Sequence, residues 1–77
     1  MRLLLTFATL HKVLAAEKSL RTSADEKLRC RPTPTPPGLS EDICGMSLEL
    51  LDAGAADYAV GVLTRVNLAP RGVHKLD

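Results

Sequence analysis

The feature that most restricts the fold of this chain is a run of prolines. Four of its five prolines fall between residues 32 and 37. Proline lacks a backbone N–H and has a fixed φ, so a segment this rich in proline suits neither a helix nor a strand inside a sheet. We expect residues 32–38 to form a stiff loop of polyproline II or turn geometry within one domain. The loop leads to Cys44-Gly45 and then to the apolar run 46–50, which places a thiol at a loop-to-strand junction.

The composition limits the chain to one small domain. Its 77 residues can bury only about three-fifths of the unfolded surface, so we expect a single domain over residues 1–77. With no Trp, one Tyr and one Phe, the chain lacks an aromatic platform for single-stranded nucleic acid. A net charge of +1 provides no strong attraction to a polyanion or an anionic membrane. We therefore expect neither nucleic acid nor a membrane among its partners.

Cysteine and histidine are few and scattered. The chain has two of each, Cys30, Cys44, His11 and His74, with no CxxC pair and no Cys/His cluster of zinc-ligand spacing. We expect no metal and no cofactor. A disulfide between Cys30 and Cys44 stays open as an alternative for a secreted form of the protein.

The N-terminus has two interpretations. Residues 1–10 resemble a short signal peptide with a cleavage site at Ala15-Ala16. However, His11 and Lys12 interrupt the apolar region before those alanines, and residues 10–20 have a helical periodicity that cleavage would destroy. No run approaches the ~20 apolar residues of a membrane span. We therefore expect a folded N-terminus and a cytoplasmic protein.

A strand and a helix are predicted first. The continuous apolar run Leu3–Phe7 is typical of a strand buried on both faces. Thr9 is the expected N-cap of a following helix. The buried stripe of that helix is expected at Leu10, Val13, Leu14 and Leu20, interrupted by Glu17.

Four further elements complete the predicted fold. Leu28–Arg31 alternates apolar and polar residues, which indicates a half-buried strand with Cys30 pointing inward. Residues 46–50 indicate a third strand, a second helix is expected from about Ala53 to Arg65, and Val73–Leu76 would close the sheet. This order predicts an α+β fold, the ferredoxin-like βαββαβ two-layer sandwich.

In that topology, the loop before the third strand lies at the end of the sheet where the first helix begins. Helix amides near Thr9 and a hydrogen bond from His11 would then stabilise a Cys44 thiolate. Gly45 leaves space beside the sulfur and permits a positive φ, and Ser40 would line the same site. The alternative for Cys44 is a small buried residue, which is the interpretation preferred for Cys30. The alternative for His11 is a solvated residue in the first turn of the helix, and His74 is expected at the surface of the last strand.

A family resemblance follows from several motifs. They are Leu5-Thr6-Phe7, a helix with Ala16-Glu17-Lys18-Ser19-Leu20, the segment Arg31-Pro32-Thr33-Pro34, and Leu39-Ser40 followed by Cys44-Gly45-Met46-Ser47-Leu48. Together they resemble the selenium/sulfur carrier protein-like family of small bacterial domains, over about residues 3–66. The chain departs from the family pattern in its Thr33–Pro37 repetition and in lacking an arginine after the second proline of the loop.

The resemblance implies a function and a site. Cys44 would be the carrier thiol, holding a persulfide or perselenide, and Gly45 its turn residue. The partners would be a sulfur or selenium donor, such as a cysteine desulfurase, and an acceptor protein. Such a protein is a carrier more than an enzyme with turnover. The alternative from a different class is a non-catalytic interaction domain that uses the proline-rich loop and an exposed sheet edge.

Overall fold

The computed structural model describes residues 2–39 and 45–76 and shows two helices and four strands. Its elements are β1 (Arg2–Thr6), α1 (Leu10–Thr22), β2 (Cys30–Pro34), β3 (Met46–Leu50), α2 (Ala56–Arg65) and β4 (Gly72–Leu76). The predicted α+β class is confirmed. The succession is not a plain βαββαβ, because 3₁₀ helices Glu26–Leu28 and Ala53–Ala55 precede β2 and α2.

The four strands form one antiparallel sheet in the order β2-β3-β1-β4. β1 and β2 therefore run parallel on either side of β3, as the sequence predicts. Thr6 at the exit of β1 pairs with Ser47 near the start of β3. We call this end of the sheet the Gly45 end. At the opposite end, which we call the Cys30 end, Cys30 pairs with Leu50.

The core lies between the sheet and the two helices. β1 occupies the centre of the sheet, and Leu3, Leu4 and Leu5 are all buried, which confirms the prediction from the continuous apolar run. The residues that join sheet and helices in one cluster include Leu3, Leu5, Phe7, Leu48, Leu50, Val13, Ala16, Leu20, Ala59 and Leu63. Each buried leucine contributes about 1.5–3 kcal/mol by leaving water. The segment that resembles a signal peptide thus supplies the central strand.

Helix α1 begins where it was predicted but turns a different face to the sheet. Thr9 has extended backbone angles, and its Oγ1 accepts a hydrogen bond from the Lys12 N–H at 3.2 Å, so the predicted N-cap is confirmed. The predicted stripe is partly wrong, because Leu10 and Leu14 are each 51% exposed. The buried residues are Val13, Ala16 and Leu20. The sheet meets the side that carries the small Ala16, which lets the helix approach closely.

Strand β2 corrects the interpretation of the prolines. It runs over Cys30–Pro34, two to three residues later than predicted, and it includes Pro32 and Pro34. The bonds Leu51 N–H to Arg29 O and Thr35 N–H to Gly45 O, both 2.9 Å, place the odd-numbered residues of β2 at hydrogen-bonded pairs. The even positions, where the prolines lie, turn their nitrogens away from β3. An edge strand tolerates proline there because no ladder bond is lost.

The same arrangement bears on the interaction-domain alternative. At Cys30, Pro32 and Pro34 the backbone nitrogen faces away from β3, and two of these three residues lack an N–H. The described strand therefore offers one N–H to an added strand instead of three. Strand addition at this edge would lack most of its donors. The structure therefore gives no support to the exposed β2 edge as a peptide-binding edge.

Candidate functional site

The loop that carries the predicted thiol is closed by Thr35. Its N–H donates to the Gly45 carbonyl at 2.9 Å, and its Oγ1 lies 2.5 Å from Ser47 Oγ. Pro34 and Met46, the last pair of the β2–β3 ladder, are the adjacent residues on the two chains. The chain between residues 35 and 45 therefore leaves and re-enters the sheet at adjacent points. Cys44 and Ser40, two of the predicted site residues, lie outside the described residues.

Gly45 is exposed at the start of the returning chain. Among residues 2–39 and 45–76, the glycine with a positive φ is Gly38, at +88°. Gly38 follows Pro37, the order that a type II turn requires. A Cβ added to Gly45 would meet no described atom within 4 Å. The positive φ that glycine permits at position 45 stays a prediction.

Thr9 and His11 lie at the Gly45 end, as predicted. α1 begins four residues after Thr6, the residue that pairs with Ser47, and both side chains are exposed. The first turn of a helix carries unpaired N–H groups and partial positive charge, which favour a nearby anion. The structure therefore brings Thr9, His11 and Gly45 to one end of the sheet. The placement of the thiol relative to them stays a prediction.

Cys30 occupies a different environment at the other end. It is half-buried and packs against the core, in agreement with its assignment as an inward-facing residue. Burial raises the pKa of its thiol to about 11, repulsion from Glu17 acts in the same direction, and Arg21 opposes them. An open groove beside it is lined by Glu17, Leu20, Arg21, Leu28, Cys30 and Leu51. At neutral pH this thiol is protonated and a poor nucleophile.

The ladder also works against a Cys30–Cys44 disulfide. Cys30 pairs with Leu50, and Gly45, which follows Cys44 in the chain, precedes Leu50 by five residues. At ~3.3 Å per residue, Gly45 lies about 16 Å along the sheet from Cys30. A disulfide needs Cα atoms within about 7 Å of each other.

A charged cluster on the face of the sheet away from the helices was missed by sequence reasoning. Glu49 is only 6% exposed, and its carboxylate accepts two hydrogen bonds from Arg2, each at 3.2 Å. Arg31 donates a third at 3.4 Å. These bonds, those from Arg2 first, lower the pKa of Glu49. The partners are 47 and 18 residues apart in sequence, so only the strand order could have revealed them.

His74 was expected at the surface, but it is partly buried and contacts a neighbouring strand. Its Nε2 lies 3.4 Å from Thr6 Oγ1, on the neighbouring strand. The ring reaches that position because Gly72 has no side chain, since a Cβ there would lie 2.7 Å from Nε2. Thr6 and Ser47, which pair across β1 and β3, are both buried. At the Gly45 end, the face of the sheet away from the helices thus carries two hydroxyl groups and an imidazole.

The described residues contain neither a cluster of metal ligands nor a membrane-spanning helix. No group of three or more His, Cys, Asp or Glu side chains could hold a metal ion in residues 2–39 and 45–76. Over the same residues, neither helix has the length and apolar character needed to cross a bilayer.

The comparison with protein families covers nearly the whole chain. The model of the family described as "Putative Se/S carrier protein-like" matches residues 2–75. The chain belongs to this family. A search of curated proteins and a search of solved structures each found no significant match. The resemblance inferred from the sequence motifs is therefore confirmed.

Membership of the Se/S carrier-like family extends beyond the proline loop. The match includes both helices and the four strands except the last residue of β4. It also includes the Arg2–Glu49–Arg31 and Thr6–His74 contacts on the face of the sheet away from the helices. The family description names a carrier of selenium or sulfur, and a carrier acts between partner proteins. It does not assign a role to either cysteine.

Proposed function

We propose that this protein carries sulfane sulfur or selenium on the Cys44 thiol, as a persulfide or perselenide, and passes it to a partner protein. Support comes from the family match and from the environment of the other cysteine. Cys30 is half-buried, and the pKa of its thiol is raised to about 11. It is therefore better suited to packing in the core than to thiol exchange. The observation that carries the proposal is the environment of Cys30, which makes it a poor nucleophile and leaves Cys44 as the candidate carrier thiol.

The proposed transfer conserves atoms and electrons. The Cys44 thiolate attacks the outer sulfur of a persulfide on the donor, R–S–SH. The donor S–S bond breaks, a new S–S bond forms on Cys44, and the donor cysteine leaves as a thiolate. The outer sulfur keeps its proton and oxidation state. An acceptor thiolate would then take the outer sulfur by the same step.

The groups that would assist Cys44 are those predicted at the Gly45 end. Exposed amides after Thr9, the imidazole of His11, and Ser40 would favour the thiolate, and Gly45 would leave the sulfur accessible. The sheet order β2-β3-β1-β4 supports a ferredoxin-like arrangement as the scaffold. We further propose a cytoplasmic location, a cysteine desulfurase or related protein as donor, an acceptor protein, and no resident cofactor.

The test uses the two cysteines as matched controls. The protein is incubated with a cysteine desulfurase and cysteine, and its intact mass is recorded for wild type, Cys30→Ser and Cys44→Ser. Wild type and Cys30→Ser are expected to gain the mass of a sulfur atom that a reductant removes. Cys44→Ser is expected to gain none. Loading of Cys44→Ser at the wild-type level, or no loading of wild type, would exclude the carrier role of Cys44.

A further inference from the structure

Thr35 makes two bonds that join the ends of the loop between residues 35 and 45, which we call the carrier loop. Its backbone N–H holds the Gly45 carbonyl, and its side-chain hydroxyl holds Ser47. Ser47 is fully buried, and a buried hydroxyl without a partner is costly, so the contact with Thr35 has a strong reason to persist. One residue on the outgoing chain thus binds two residues on the returning chain.

The nearer of these bonds is separated from the Cys44 thiol by one residue, Gly45. Gly45 directly follows Cys44, and glycine has the widest backbone freedom of any residue. Gly45 is exposed, and a Cβ added to it would meet no described atom within 4 Å. Its carbonyl bond to Thr35, with the Thr35–Ser47 contact two residues further on, restrains a residue that would otherwise act as a hinge.

We infer that Thr35 and Ser47 are positioning residues for transfer at the carrier thiol, because they hold Gly45, the residue that follows Cys44, at the base of the loop. The inference rests on the proposed function. Transfer between two proteins requires the two sulfur atoms to be aligned, and alignment is lost when the loop base moves. A small reagent approaches from any direction and has no such requirement. The two kinds of reaction therefore separate positioning from intrinsic reactivity.

Thr33 provides a matched control. It lies in β2 two residues before Thr35, and it pairs with Ser47 in the ladder. Its Oγ1 accepts a hydrogen bond from Arg2 at 3.4 Å. Thr33→Val and Thr35→Val make the same chemical change two residues apart, but only Thr35→Val removes the hydroxyl that the structure pairs with Ser47. Thr35→Ser keeps that hydroxyl and tests for rescue.

The experiment measures three rates for wild type and the three variants. The first is sulfur transfer from a persulfide-charged cysteine desulfurase to Cys44. The second is the reaction of Cys44 with a small aromatic disulfide. The third is the labelling of Cys30, which reports opening of the core.

We expect Thr35→Val to slow protein-to-protein transfer about threefold to tenfold, the factor that one neutral hydrogen bond supplies. Its reaction with the small disulfide should be no slower than in wild type, and Cys30 should stay as protected. Thr35→Ser and Thr33→Val should transfer at the wild-type rate.

Three results would overturn the inference while leaving the carrier function intact. They are wild-type transfer by Thr35→Val, equal slowing in Thr33→Val, and slowing in Thr35→Val accompanied by faster Cys30 labelling. A wild-type protein that accepts no sulfur would instead refute the proposed function and the inference with it.

Discussion

The two ends of the β2–β3 ladder provide opposite environments for chemistry. At the Cys30 end, the thiol packs against the core and its pKa is raised to about 11. At the Gly45 end, the ladder stops at an exposed glycine, and α1 begins nearby with exposed Thr9 and His11. The same sheet thus protects one thiol and leads directly to the loop that carries the other. Composition alone does not distinguish Cys30 from Cys44, whereas the fold gives Cys30 a place in the sheet that disfavours reaction.

The two faces of α1 also differ. On the face that meets the sheet, Val13 is fully buried and Leu20 is 1% exposed, and both belong to the core. On another face, Leu14 is 51% exposed. The helix therefore presents buried and exposed leucines that its apolar period alone does not distinguish.

The largest expected effect is on stability. Leu20→Ala should lower the free energy of unfolding by about 2–5 kcal/mol, because it leaves a cavity in the core. Leu14→Ala should change it by no more than about 0.5 kcal/mol, as is usual for exposed positions. Urea unfolding followed by circular dichroism measures both. Equal losses in the two variants would contradict the described orientation of α1.

The next effect concerns the protected thiol. In Cys44→Ser, alkylation of Cys30 by iodoacetamide at pH 7 should be about a hundredfold slower than in the same protein unfolded in urea, because its pKa rises from 9.0 to about 11. The rate should keep rising with pH up to about 11. The folded state holds the proton more tightly, so this group's stabilisation is complete below pH 9 and is lost as the pH rises towards 11. A folded-state alkylation rate that levels off near pH 9 would refute the assignment.

A smaller effect is expected from Glu49, between the two ends. Hydrogen bonds from Arg2, and then charge and hydrogen bonding from Arg31, lower its pKa below the ordinary value of 4.5. Its stabilisation is therefore present above pH 4.5 and is lost as the pH falls through the lowered pKa. The free energy of unfolding should decline more steeply below pH 4.5 in wild type than in Glu49→Gln. The exposed-site control Glu26→Gln should retain the wild-type slope, and the same slope in all three would count against the cluster.

Local patterns in the sequence predicted much of the scaffold. The run Leu3–Leu5 could only be buried as completely as it is in a central strand, and Thr9 has the side chain that an N-cap requires. Both features could be predicted from residues that are adjacent in the sequence. The family was likewise within reach of the motifs around Cys44-Gly45, since the match extends over residues 2–75.

What the sequence could not provide depends on strand order and on the direction of helix packing. Pro32 and Pro34 fit β2 because that strand is an edge and their nitrogens face outward. Leu14 fits the apolar period of α1 as well as Leu20 does, but only the approach of the sheet decides which one is buried. The Thr35–Ser47 contact joins residues 12 apart across a ladder whose register was unknown.

The central claim, that Cys44 and not Cys30 carries the sulfur, is tested most directly by locating the added atom. Tryptic digestion is unsuited, because trypsin does not cleave the Arg31–Pro32 bond and the next basic residue is Arg65, so both cysteines remain on one peptide. Cleavage after glutamate places Cys30 in residues 27–41 and Cys44 in residues 42–49. After loading by a desulfurase and alkylation of the persulfide, we predict the extra sulfur in peptide 42–49. Extra sulfur in peptide 27–41, or in neither peptide, would contradict the account.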